Sequence, residues 1–324
     1  MDTLFPLFDS EEDRPPLAAR LTPKLRALAD QGVFFGTSSW KYPGWLGSIY
    51  SKDRYETRGT FSKKKFEEHC LSEYAETFTT VCGDLTFYQF PSPPFWAKLF
   101  NTTPRSFTMA FKVPEDITVA RWPSHARYGT KAGTDNNHFL NAELLKTLFL
   151  RRLIPYAERV ATLIFEFGTF PKSQFPTPDD FYGRLDGFLE ALPAGFRYAV
   201  EIRNPEYLSP AYFSLLKAYG VAHVLNAWTR MPPLEAQAEM PGVFDADFTV
   251  VRALLTKGRG YADAVQSFEP YDRTQEPNPA VRSALAQVAN QARTRKKPAF
   301  LFVNNRLEGF SPGTIEAVVE QLGF

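Results

Sequence analysis

Arg197-Tyr198-Ala199-Val200-Glu201-Ile202-Arg203 is the stretch that decides the fold. Val200 and Ile202 alternate with Glu201 and Arg203, the period-two pattern of a strand with one face under apolar cover, and the charges fall at its C-terminal end. Seven further apolar runs of similar length tile the chain: Val33–Ser38, Thr79–Asp84, Phe107–Val113, Val160–Phe167, Ala222–Asn226, Phe248–Arg252 and Ala299–Asn304. The quoted stretch is the fifth of the eight. Helix-like segments separate them: Lys63–Thr77, Ser92–Asn101, Phe139–Arg159, Pro178–Leu192, Pro210–Tyr219, Asn278–Thr294 and Pro312–Leu322. Only the sixth connection is weak, because Pro232, Pro233 and Pro241 leave Met231–Phe244 room for one or two helical turns. Strands alternating with helices, most ending on a polar residue, predict an α/β protein built as a single (β/α)8 TIM barrel, with its site at the C-terminal ends of the strands.

A barrel with long loops accommodates 324 residues as one domain, 33–324, preceded by an arm and helix at 1–32. The first of these pieces, Met1–Pro16, is acidic and proline-rich and reads as an extended arm. Leu17, Leu21, Leu25 and Leu28 have helical spacing up to a stop at Gly32, and this helix is expected to plug the bottom of the barrel. Apolar content of 44% with 30 Phe supplies a large core, so folding needs neither a disulfide framework nor a structural metal. Two cysteines, Cys70 and Cys82, no cationic apolar leader and no long apolar run together set the expectation of a reducing cytoplasm and no membrane span. The formal net charge of +1 selects no partner.

Alternation sorts side chains into barrel-facing and helix-facing sets. Thr108, Ala110 and Lys112 of the third strand, Thr162, Ile164 and Glu166 of the fourth, and Ala199, Glu201 and Arg203 of the fifth face inward. Asn226, Arg252 and Asn304 follow at the tops of strands six, seven and eight, and Asp84 joins from the second, where Gly83 blurs the pattern. The outcome is a ring of three acidic, three basic and two amide side chains in one mouth. Burying such charges unpaired is costly, so the ring is either a functional site or a network in which Glu201 neutralises Arg203 or Arg252.

After the first strand, Trp40, Tyr42, Trp45, Tyr50 and Tyr55 are interleaved with Lys41, Lys52, Arg54, Arg58 and Lys63–Lys65. Seven basic residues against Asp53 and Glu56 give a local balance of +5. Aromatic faces beside cations can stack nucleic acid bases, or they can simply pack the loop down under a solvated basic face. A second long loop, Pro114–His138, follows the third strand. Arg293, Arg295, Lys296 and Lys297 precede the eighth strand and so belong to the opposite end. The four histidines show no metal-binding pairing, and Cys82 has no base partner, so neither a multi-histidine centre nor a cysteine nucleophile is expected. No cofactor is predicted, and a divalent metal held by carboxylates alone stays open.

Gly36-Thr37-Ser38-Ser39-Trp40-Lys41-Tyr42-Pro43-Gly44-Trp45, Thr86-Phe87-Tyr88-Gln89-Phe90-Pro91, Phe111-Lys112-Val113-Pro114-Glu115-Asp116-Ile117-Thr118, Val200-Glu201-Ile202-Arg203-Asn204 and Phe302-Val303-Asn304-Asn305 stand in order along the chain. Together they resemble the YecE-like family known as domain of unknown function 72, over about Val33 to Phe324. The resemblance implies a TIM barrel and leaves the activity open. By position it implies site roles for Trp40, Tyr88, Lys112, Glu201, Arg203, Arg252, Asn304 and Asn305. This chain departs from the family pattern at Cys82, where a glutamate is expected, at Glu166 in place of a glutamine, and at Leu254 in place of a histidine. Arg121–Phe139 looks like an insertion.

These residues set three functional expectations. The leading one is an enzyme, a hydrolase working without metal on a phosphorylated or polyhydroxylated substrate such as a nucleic acid end. In it Glu166 and Glu201 share the general base and acid roles, Lys112, Arg203 and Arg252 stabilise negative charge, Trp40, Asp84 and Tyr88 contact substrate, and Asn226, Asn304 and Asn305 orient it. The second is a glycosidase using Glu166 and Glu201. The third is a non-catalytic module binding nucleic acid or a small anionic or sugar-like ligand. Oligomeric state is not readable.

Overall fold

The computed structural model describes residues 15–324, so the expected acidic arm lies outside the described residues apart from its last two. All eight runs are strands: β1 Val33–Thr37, β2 Thr80–Gly83, β3 Thr108–Lys112, β4 Val160–Phe167, β5 Tyr198–Ile202, β6 Ala222–Ala227, β7 Thr249–Ala253 and β8 Ala299–Val303. Each pairs in parallel with its neighbours in chain order, and β8 closes on β1, forming one barrel. Closure needs Gly36, since a β-carbon there would stand 2.3 Å from the Thr80 carbonyl oxygen of β2.

The surrounding helices are α1 Pro16–Asp30, α2 Lys63–Thr77, α3 Pro93–Asn101, α4 Pro178–Glu190, α5 Pro210–Ala218, α6 Leu234–Ala238, α7 Tyr261–Phe268, α8 Pro279–Arg295 and α9 Ser311–Gln321. Local chemistry sets several starts. The Ser62 and Ser92 hydroxyls accept from the Lys65 and Phe95 amides at the heads of α2 and α3, and proline occupies the first turn of α3, α4, α5 and α8. The sixth connection keeps only the five residues of α6.

Two expectations change. Phe139–Arg159 is not one helix: Ala142–Leu145, a π turn over Lys146–Leu150 and Arg151–Leu153 run on, and Pro155 tightens Ile154–Arg159 into 3-10 geometry. α1 does not plug the barrel. Its Leu21, Leu25 and Leu28 belong to the apolar layer shared with Val33 and Phe35 of β1, and Arg20 pairs with Glu316 of α9 at 2.8 Å, so it lies in the outer layer. A separate inner cluster fills the barrel. Phe34, Phe248 and Phe300 are among its members, with Phe34 stacked on Phe300 at 5.1 Å, while Ala110, Ile164, Ala199, Val224 and Val250 lie in the same cluster. That filled interior leaves the charged residues at the strand tops as the floor of the mouth.

Candidate functional site

Six expected residues meet at the C-terminal face. Lys112 Nζ of β3 lies 3.3 Å from Asp84, just past β2, and 3.0 Å from Glu166 of β4. Arg203, just past β5, reaches Glu166 and Glu201 with Nη2 at 3.1 Å each, and its Nε also donates to Glu201 at 3.2 Å. Arg252 of β7 uses a single nitrogen, Nη1, to bridge Glu166 at 2.5 Å and Glu201. Glu166 and Glu201 are direct register partners across β4 and β5. Two carboxylates and two guanidiniums therefore close a loop, with Lys112 and Asp84 extending it outward.

Burial grades this network. Glu201 is 0% exposed and Arg252 3%, whereas the Asp84 side chain is 48% exposed. Burial alone would push the Glu166 carboxyl up, yet Arg203, Lys112 and Arg252 overcome it and hold the group well below the ordinary glutamate range. Burial also works to lower Lys112, and Glu166 with Asp84 reverse it, so its ammonium is held above the usual lysine value. Glu166 is thus a fixed anion and Lys112 a fixed cation. Cys82, inside the barrel beneath them, is pushed up to about 12 by burial, which suits an inert thiol.

Aromatic rings hold the two outer cations. Lys112 Nζ stands 3.9 Å from the centre of the Phe87 ring, and the Arg203 guanidinium 3.9 Å from that of Trp228. Neither ring was anticipated. Trp228 lies two residues beyond Asn226, on the same side of the strand by period, and that spacing was the available signal. The loop after β3 adds a rim: Arg127 lies over Tyr88 at 4.6 Å and, with the Tyr128 hydroxyl, reaches Glu115 at 3.1 and 2.9 Å. Tyr88 is 57% exposed there.

The remaining expected residues have other work. Asn226 is fully buried and donates its amide to the Ile202 and Val224 carbonyls, tying β6 to β5. Asn304 Oδ1 accepts from the Arg306 amide, and Asn305 Oδ1 accepts from the amide and hydroxyl of Ser311 at the start of α9. Asn226 and Asn305 are thus tied into the scaffold, and the Oδ1 of Asn226 and the Nδ2 of Asn305 are buried without a hydrogen-bond partner among the described residues. Trp40 is buried, with its ring against Gly83. Trp45, Tyr50 and Tyr55 of the same loop are buried too, their faces spent on each other and on Phe66, so no base-stacking platform forms there. Among the described residues, no group of three or more His, Cys, Asp or Glu side chains is arranged to hold a metal ion, and no helix is long and apolar enough to cross a membrane.

Comparison with known proteins agrees with the architecture. A family model described as "Protein of unknown function DUF72" matches residues 34–324. The UPF0759 protein YecE of Escherichia coli K12 is 25% identical over 178 residues, which is 55% of this chain and 50% of that protein. The match thus spans about half the length of the curated relative. A DUF72 family protein from Enterococcus faecalis V583 superposes with a TM-score of 0.58 at 16% identity, covering 90% of this chain and 96% of that one. Another from Thermotoga maritima MSB8 gives 0.57 at 17% identity, covering 90% and 97%.

Proposed function

Because the chain belongs to the DUF72 family, whose description leaves the activity open, we propose from the barrel mouth alone that it is a hydrolase acting without metal on a phosphorylated or polyhydroxylated small molecule. The observation that carries this reading is Asp84: a half-exposed carboxylate beside a buried, ring-supported ammonium at the end where barrel enzymes do their chemistry. Asp84 is the general base that activates water or a substrate hydroxyl. Lys112 and Arg203 receive the negative charge that develops, and Tyr88 offers a face to a sugar or base.

Glu166, Glu201 and Arg252 act beneath this surface as the frame that fixes Lys112 and Arg203. The glycosidase alternative needs one carboxyl of the Glu166 and Glu201 pair to deliver a proton. Glu166 is held as an anion under three cations, and both oxygens of Glu201 accept from guanidiniums, which weighs against it.

The test is a thermal-shift screen against sugar phosphates, nucleotides, neutral sugars and short oligonucleotides, followed by turnover assays on each hit. A ligand at about 100 times its Kd adds about 2.7 kcal/mol to stability, which the screen detects. Asp84→Asn should then lower turnover by about 10²–10⁴-fold while leaving affinity within a few-fold, and Lys112→Ala should weaken binding. A hit that binds wild type and is never turned over refutes the hydrolase and favours the binding module.

A further inference from the structure

Between α2 and α3, outside the barrel mouth, the structure holds a cavity of about 370 Å³. Trp40, Leu71, Leu85, Phe95 and Leu99 form its apolar floor. The Trp40 ring is fixed from behind, since even a β-carbon at Gly83 would come within 3.2 Å of it. Over this floor stand Lys41, Lys64 and Lys98. Two glutamates share the rim, and one of them, Glu67, is drawn towards Lys63 at 3.8 Å. None of the three rim lysines has a carboxylate within ion-pair distance among the described residues.

We infer that this cavity binds a small amphipathic anion, an apolar or aromatic body on Trp40 and the leucines with a carboxylate, phosphate or sulfonate under the lysines. Its size falls in the range of ligand pockets, and an apolar floor with a few converging polar groups is how such pockets are built. Three lysines outnumber the two glutamates of the rim, so the edge carries a net positive charge that favours an entering anion. The inference is independent of the chemistry proposed for the barrel mouth, since no residue of the charged network lines the cavity.

Two probes with similar rings separate the contributions: 8-anilinonaphthalene-1-sulfonate, which carries the anion, and N-phenyl-1-naphthylamine, which does not. The sulfonate should bind the folded protein at one saturable site with enhanced fluorescence. Lys64→Glu with Lys98→Glu should weaken it by about tenfold, equivalent to about 1.4 kcal/mol, while the neutral probe changes by less than about twofold. Thr102→Trp, which fills the cavity from its edge and keeps every charge, should block both probes without altering the unfolding midpoint. Sulfonate binding that is absent in wild type, or unchanged in either variant, overturns the proposal.

Discussion

Arg252 shows how much one buried side chain can hold. Its Nη1 joins two carboxylates from two strands, holding the Oε2 atoms of Glu166 and Glu201 while Arg203 holds their Oε1 atoms. Arg252→Met should therefore cost about 3–5 kcal/mol in urea unfolding, because it strands buried anions rather than merely deleting a contact. A loss under about 1 kcal/mol would mean that Arg203 and Lys112 neutralise the pair unaided. Glu166 makes a pH prediction. Its folded-state value is depressed below the ordinary 4.5, so its contribution is present above that value and is lost as pH falls through the depressed range. Between about pH 5 and pH 3 the unfolding midpoint of wild type should fall more steeply than that of Glu166→Gln, and parallel slopes would refute the role of the cations. Alternation along each strand sufficed to read Lys112, Glu166, Glu201 and Arg252 as inward-facing. It could not tell which anion meets which cation, since that depends on register between strands far apart in sequence.

At the scale of the element, β6 carries a titrating group on its helix-facing side. His223 packs edge-on against Tyr212 and Phe213 of α5 and meets the Tyr212 hydroxyl at 3.1 Å, and burial lowers its pKa from 6.5 to about 4. The folded histidine stays neutral where the unfolded one charges, so stability is present above pH 6.5 and is lost as pH falls towards about 4. The loss should approach about 3 kcal/mol in wild type and vanish in His223→Leu. This window opens above that of Glu166 and meets it only below about pH 5, so urea titration from pH 6.5 to about 5 isolates the histidine. Helix starts were legible where a capping side chain and a first-turn proline coincide, as at Ser92 and Asn278. α7 was not, because its eight residues follow a loop of mixed polarity and supply too few periods to stand out. The segment from Phe139 was read as continuous because its apolar spacing persists through the π turn, which shifts the backbone without breaking the pattern.

For the whole molecule, the eightfold alternation of strand and helix was enough to name the barrel, whereas the loops over its mouth were the least legible part. In the first loop Trp40, Trp45, Tyr50 and Tyr55 proved to be buried, and in the loop after β3 Arg127 and Tyr128 turned back onto Tyr88 and Glu115, contacts that no local spacing announces. Arg127→Ala should loosen that loop while leaving the barrel intact, giving faster amide exchange over residues 121–139 and an unfolding midpoint within about 0.5 kcal/mol of wild type. Protection unchanged in that loop would mean that Trp122, with Lys131 over its ring, holds it without Arg127. The mouth itself has a kinetic consequence. Three anions and three cations lie in contact with one another, well inside the Debye length of about 8 Å at physiological salt, so together they project almost no field into the solvent. A charged substrate approaching them feels little pull until it touches. Its association rate should accordingly change little with ionic strength, and selectivity for charge should appear almost entirely in how long the ligand stays.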